Sequence, residues 1–220
     1  DGALTLSNLP QEAKRRINRY SIKDTAENSY AAKTLLKVLN WRNNGPKSLC
    51  VQHGLLDCPS CKKEEKPFDS FDITKLGLND IIVIDSLTQL SDSILNSLLA
   101  SPENKPEYDH WRNLGVKLDS VVDWMKAAPC HVIMITHEQD IEMEDGRNKL
   151  TAVGGTKNYA RNLPRHFSHV VYFSVVNKAH TAQSKSVALN GVVTGSRTDA
   201  DVTKDPTNPL GVIFPKLATA

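Results

Sequence analysis

Asn79-Asp80-Ile81-Ile82-Val83-Ile84-Asp85-Ser86-Leu87-Thr88 is the stretch from which the fold is read. Four consecutive β-branched apolar residues are too few for a helix and fit a strand buried on both faces of a parallel sheet. The run stops at Asp85, and the hydroxyl of Ser86 follows. Ligands of open α/β sheets bind beyond the carboxyl ends of the strands. A carboxylate there can hold a Mg²⁺-bound water beside the phosphates of a nucleotide. The plainer alternative is that Asp85 caps the helix beginning near Ser86. The motif alone leaves both open.

Downstream, Leu90, Ile94 and Leu98 line one face of a helix over Leu87–Leu99. Ser101 to Pro106 reads as a loop. A longer helix runs from Tyr108 to Ala127, carrying Trp111, Leu114, Leu118, Val121, Val122 and Met125, and Pro129 ends it. His131–Thr136 is a second buried strand that stops in polar residues: Thr136, His137, Glu138, Gln139 and Asp140. Strand, helices and strand at this spacing form a crossover, which makes the two strands parallel. That topology sets His137 beside Asp85 on one edge, although a satisfied loop histidine is the alternative.

Residues 138–165 read as a long connection without periodicity, and such loops are functional or disordered. Its acids come first, from Glu138 to Asp145; then Gly146 to Arg165 carries Arg147, Lys149, Lys157, Arg161 and Arg165 with no acid. Gly154-Gly155 frees the backbone to approach a ligand. Five cations suit a polyanion, and Tyr159 can stack on a base; a solvated surface loop is the alternative. Ser168–Val176 and Ser186–Val193 read as a β-hairpin joined through 177–185, and a proline-containing tail follows.

Upstream, Arg15–Lys23 reads as a short strand, and Asp24-Thr25 as the N-cap of a helix reaching Trp41. Residues 47–70 then change character. Cys50-Val51-Gln52-His53 precedes Cys58-Pro59-Ser60-Cys61 by four residues. Two-residue gaps let each turn offer both side chains to one ion, and three cysteines with one histidine form a structural zinc set. So polar a segment lacks an apolar core, and a metal would supply its folding energy. An exposed loop with incidental cysteines is the alternative. Cys130, beside an apolar strand, reads as a small buried hydrophobe.

The 220 residues are 40% hydrophobic and 24% charged, which suits a soluble globular protein of one α/β domain with a small insertion. The formal net charge of +2 indicates no partner. No run reaches a membrane span and the N-terminus is no signal peptide, so a cytoplasmic setting is expected.

Taken together, Ile81–Asp85-Ser86, the strand ending at Thr136-His137, Val153-Gly154-Gly155 and Asn162-Leu163-Pro164-Arg165-His166-Phe167 resemble the phage-encoded RecA-like, AAA-type ATPases of Sak-type single-strand annealing and recombination systems. The resemblance covers residues 1–6 and 79–200, with the cysteine segment as an insertion. It implies a mostly parallel RecA-like sheet flanked by helices, with a C-terminal β-hairpin and a small zinc-binding insertion at 47–70, in one core spanning 1–220. It implies that Asp85 is the Walker-B acid and that His137, after Thr136, senses the γ-phosphate. Asp1 matches the acid that activates the attacking water. Ser86 and Thr136 line the nucleotide site. Arg197 or Lys178 reaches the ATP of a neighbouring protomer in a homo-oligomeric ring or filament.

The implied cofactors are ATP and Mg²⁺, beside zinc at Cys50, His53, Cys58 and Cys61. The implied partner is single-stranded DNA, in the cytoplasm of a phage host, with no membrane. One departure is plain: no Gly-x-x-x-x-Gly-Lys-Ser/Thr occurs in the chain. In the family that element precedes the position of Asp1, so a natural N-terminal portion is expected to be missing. A non-catalytic nucleic-acid-binding or assembly protein, or a hexameric helicase-type ATPase, are the competing expectations.

Overall fold

The computed structural model describes residues 9–101, 103–142, 146, 148–185 and 191–215. In chain order the elements are α1 (Gln11–Arg15), α2 (Tyr30–Leu39), α3 (Trp41–Asn44), β1 (Lys47–Cys50), α4 (Pro59–Lys63), β2 (Phe68–Phe71), β3 (Ile81–Asp85), α5 (Leu87–Leu98), α6 (Tyr108–Lys126) and β4 (His131–Ile135). There follow β5 (Glu138–Glu142), β6 (Asn148–Ala152), α7 (Lys157–Asn162), β7 (His169–Val170), β8 (Tyr172–Val176), β9 (Ala179–Gln183), β10 (Gly195–Ser196) and α8 (Pro209–Ile213). Short 3-10 turns lie at Ile73–Lys75, Leu163–His166 and Val202–Lys204.

The crossover forms as its spacing predicts. β3 and β4 pair in parallel, Ile81 opposite His131 and Asp85 opposite Ile135. Ile84 turns inward with Leu87, Leu90 and Ile94 of α5 and with Leu114, Leu118, Val121, Val122 and Met125 of α6, and Ala32 and Leu39 of α2 join that core. The apolar residues recur every three or four positions, so each helix buries one stripe. The Ala32 N–H donates to Ser93 Oγ at 2.9 Å, and Trp41 Nε1 donates to the Trp124 carbonyl at 3.0 Å. These bonds pin α2 to α5 and α3 to α6.

The strands are not buried on both faces. Val83 is 54% exposed, Ile135 43% and Ile81 38%, because among the described residues the helices cover one face only. The described strands form two-stranded sheets, of which β3–β4 is the parallel one; an extended mostly parallel sheet is not found among them. The architecture is therefore mixed α/β, with small sheets and helices.

Four local expectations are corrected. Residues 15–23 form no strand: α1 ends at Arg15, and Tyr20 and Ile22 instead lie over Gly54, where an added Cβ would meet them at 3.0 Å. The helix expected from Asp24 begins at Tyr30, and Asp24 accepts from the Ala31 N–H across the intervening turn at 2.7 Å. The connection at 138–165 is structured, with β5 and β6 antiparallel and α7 capped by Thr156; its charged strand residues had hidden the alternation. Finally, β8 pairs with β9 across Asn177-Lys178, both at positive φ, and of the expected partner strand 186–193 the described Val192 bridges Leu150 of β6. Residues 186–190 of that expected strand lie outside the described residues.

Candidate functional site

Two groups of residues carry chemistry, the carboxyl edge of β3–β4 and the cysteine lobe. At the edge, Asp85 is exposed, and its side chain makes no hydrogen bond or ion pair among the described residues. Ser86 is the N-cap of α5: its Oγ accepts from the Gln89 N–H at 3.3 Å, and it is buried. The capping role that the sequence left open for Asp85 thus falls to its neighbour. The Asp85–Ser86 peptide is cis.

Two residues past β4, His137 reaches the same edge, exposed. Its N–H donates to Thr88 Oγ1 at 3.0 Å. Thr136 Oγ1 lies 3.1 Å from Thr88 Oγ1 and donates to the Val153 carbonyl at 2.6 Å. The Val153 N–H donates back to the His137 carbonyl at 2.9 Å. The end of β4, the first turn of α5 and the exit of β6 are therefore one hydrogen-bonded crossing. The hydroxyl of Thr136 faces protein, not the open edge.

Behind this crossing, Gly155 sits at φ +65°, and a Cβ there would meet Leu118 at 3.1 Å and Tyr159 at 3.3 Å. Its N–H donates to Ser91 Oγ at 3.0 Å. This glycine is needed for close packing against α6, a role other than the ligand approach expected of Gly154-Gly155. Tyr159 packs into the main core cluster, and burial beside Asp119 pushes its phenol up. For its ring to stack on a base, it would have to leave that packing.

The expected cations are spread around the β5–β6 hairpin. Lys149 lies on β6 opposite Ile141, and Lys157 is exposed at the start of α7. The Arg161 guanidinium donates to the Glu142 carbonyl, tying α7 to the end of β5. Arg165 is exposed and donates to Asn162 Oδ1 at 3.3 Å. Arg197 is exposed and donates to the Arg165 carbonyl, and Lys178 is exposed in the β8–β9 turn. Asp1 and Arg147 lie outside the described residues.

In the cysteine lobe, β1 and β2 pair antiparallel with Cys50 opposite Phe68, and the Cys50 N–H donates to the Leu55 carbonyl at 3.0 Å. Cys58 is the N-cap of α4, which Pro59 starts, and Cys61 lies within it. The ligand atoms of Cys50, His53, Cys58 and Cys61 all lie within 4.8 Å of one another. His53 Nδ1 is 3.5 Å from Cys58 Sγ and 3.3 Å from Cys61 Sγ. Tetrahedral zinc, with bonds of about 2.3 Å to sulfur, spaces its sulfurs about 3.8 Å apart. The four side chains fit that ion, and the three cysteines are buried.

Burial pushes the Cys58 thiol up, but hydrogen bonds from the Cys61 N–H, Ser60, Cys61 and His53 outweigh it and bring the thiol down to about 6. Cys61, buried and hydrogen-bonded beside Cys58 and Cys50, is pushed up to about 12. The two shifts run in opposite directions, Cys58 toward the thiolate and Cys61 toward the thiol, and a bound cation would favour the thiolate of both. Cys130, by contrast, is half-buried, with its thiol pushed up by burial and by Asp80.

Sequence reasoning gave no role to Thr88, Ser91 or Val153, although Thr88 stood within the opening motif and Val153 before Gly154-Gly155; their contacts depend on β4 and β6 lying alongside α5. No described helix is long and apolar enough to cross a membrane. No curated protein and no solved structure matches the chain. Residues 31–206 match the family model described as AAA domain, which takes in the cysteine lobe as well as the β3–β4 edge. With most of its length matched, the chain belongs to the AAA domain family of P-loop NTPases, whose function is of the nucleotide-binding ATPase type.

Proposed function

We propose that this chain is the ATPase core of a protein that binds single-stranded DNA in recombination or annealing, as in the RecA-like, Sak-type group of phages. The observation that carries the reading is the meeting of Asp85 and His137 at one strand edge, with the crossing behind them leading into the β5–β6 hairpin. When bound, ATP with Mg²⁺ supplies the phosphoanhydride bond that is broken. Asp85, whose side chain has no partner among the described residues, would hold a metal-bound water by its carboxylate. His137 offers an imidazole N–H to the outermost phosphate. Ser86 and Thr136, whose hydroxyls are engaged by Gln89 and Val153, shape the edge from behind.

Lys149, Lys157 and Arg165, with Arg147, meet the phosphates of the DNA strand, and such contacts weaken as salt rises. Arg197 and Lys178 extend toward the nucleotide of an adjacent copy in a homo-oligomer. Zinc at Cys50, His53, Cys58 and Cys61 has a structural role, since four protein ligands leave no open position for substrate.

The test is ATP hydrolysis by the native full-length product, with and without single-stranded DNA. Asp85→Asn should lower DNA-stimulated turnover by about 10²- to 10³-fold, the scale of losing one group aimed at transition-state charge, with the thermal transition unmoved. A second reading, a non-catalytic DNA-binding or assembly protein, is favoured by the lack of Gly-x-x-x-x-Gly-Lys-Ser/Thr in these 220 residues. Salt-sensitive DNA binding with no hydrolysis by either form would establish it.

A further inference from the structure

We propose that α5 positions His137 through the Thr88 side chain, which holds the histidine's backbone N–H. The inference rests on reading His137 as part of the nucleotide edge. Threonine has one hydroxyl proton, and this fixes the direction of the crossing. Thr136 gives its proton to the Val153 carbonyl at 2.6 Å, its nearest acceptor. The 3.1 Å contact between the two threonines must then carry the Thr88 proton toward Thr136. That leaves a Thr88 lone pair for the His137 N–H at 3.0 Å.

The order is His137 N–H to Thr88, Thr88 to Thr136, and Thr136 to Val153, each group donating once. Such a chain strengthens its members cooperatively. Thr88 thereby fixes where the histidine emerges from β4, and it acts through His137 as a positioning residue.

The decisive measurement is residue-resolved amide exchange on the full chain. Thr88→Val keeps the shape and removes the hydroxyl. The His137 and Val153 amides should then exchange about five- to tenfold faster, the equivalent of one net hydrogen bond, while those of Ile84 and Val121 keep their rates. Thr88→Ser should restore the parent pattern. In turnover assays Thr88→Val should lower kcat more than it changes KM for ATP. Parent-like exchange at His137 in Thr88→Val, or equal acceleration across β3 and α6, overturns the role of Thr88. A parent protein that hydrolyses no ATP would instead remove the nucleotide reading, and the exchange result would still decide how His137 is held.

Discussion

The cysteine lobe and the β3–β4 edge are built on opposite plans. In the lobe every ligand comes from twelve consecutive residues, the thiols are buried, and the donor atoms already stand at metal-binding separations. At the edge Asp85 and His137 are 52 positions apart in sequence (137 − 85), exposed, and brought together only because two strands pair in parallel. On the proposed zinc reading the lobe serves its own stability. Among the described residues the side chains of Asp85 and His137 are exposed and make no hydrogen bond or ion pair. Variants in the two regions should therefore differ in kind: one set loses structure, the other loses chemistry.

The largest effect is expected in the lobe. Structural zinc contributes on the order of 10 kcal/mol to folding in small metal domains, and the apolar cluster around the cysteines has only Leu55 and Phe68 packed against it. Cys58→Ser should reduce bound zinc from one ion per chain to none and unfold residues 47–71 while α5 and α6 persist, as read by metal analysis and by amide exchange. Equal zinc in variant and parent would break the comparison at its first term. Acidification acts in the same direction. Binding releases thiol protons, so the ion is held more weakly as pH falls and more tightly as it rises.

Next comes Asp85→Asn, for which the comparison demands large loss of turnover without loss of stability. If the thermal midpoint instead fell by several degrees with turnover intact, the edge would be a structural element like the lobe. Gly155→Ala lies between the two regimes. It places a Cβ against Leu118 and Tyr159 at positive φ and should cost about 1–2 kcal/mol, the left-handed backbone penalty for a residue with a side chain. Denaturant titration reads that cost. A neutral Gly155→Ala would mean that the segment behind the crossing is free to move.

The same contrast explains what could be read from sequence. The clustering of Cys50, His53, Cys58 and Cys61 was legible because its information is local: gaps of two residues repeat, and geometry follows from spacing. The opening strand and the helices α5 and α6 were legible because their apolar residues carry a clear period. The β5–β6 hairpin was not, since Glu138, Asp140 and Glu142 alternate with Gln139 and Ile141, and only Ile141 is buried. The two-residue turn Asn177-Lys178 lacks the glycine that announces such hairpins, so the partner of β8 was sought too far downstream. The open face at Val83 and Ile135 was missed for another reason. An apolar run reports what a strand prefers, and the covering layer must come from elsewhere.

The smallest predicted effect is also the sharpest, because it separates two adjacent residues. A helix N-cap hydroxyl replaced by alanine costs about 1 kcal/mol, and Ser86 Oγ is the group that accepts from Gln89 N–H at the start of α5. Ser86→Ala should therefore lower the midpoint of thermal unfolding by about 2–4 °C, as such a loss does in a chain of this size. Asp85→Asn should lower it by nothing measurable, since the Asp85 side chain has no partner among the described residues. Turnover should follow the reverse order, nearly intact in Ser86→Ala and lowered about 10²- to 10³-fold in Asp85→Asn. If both observables ranked the two variants the same way, cap and chemistry would reside in one residue, and the division of labour across the Asp85–Ser86 bond would be wrong. If they rank in opposite orders, the carboxylate has been kept free of structural duty, which is what a ligand-facing group at a strand end requires.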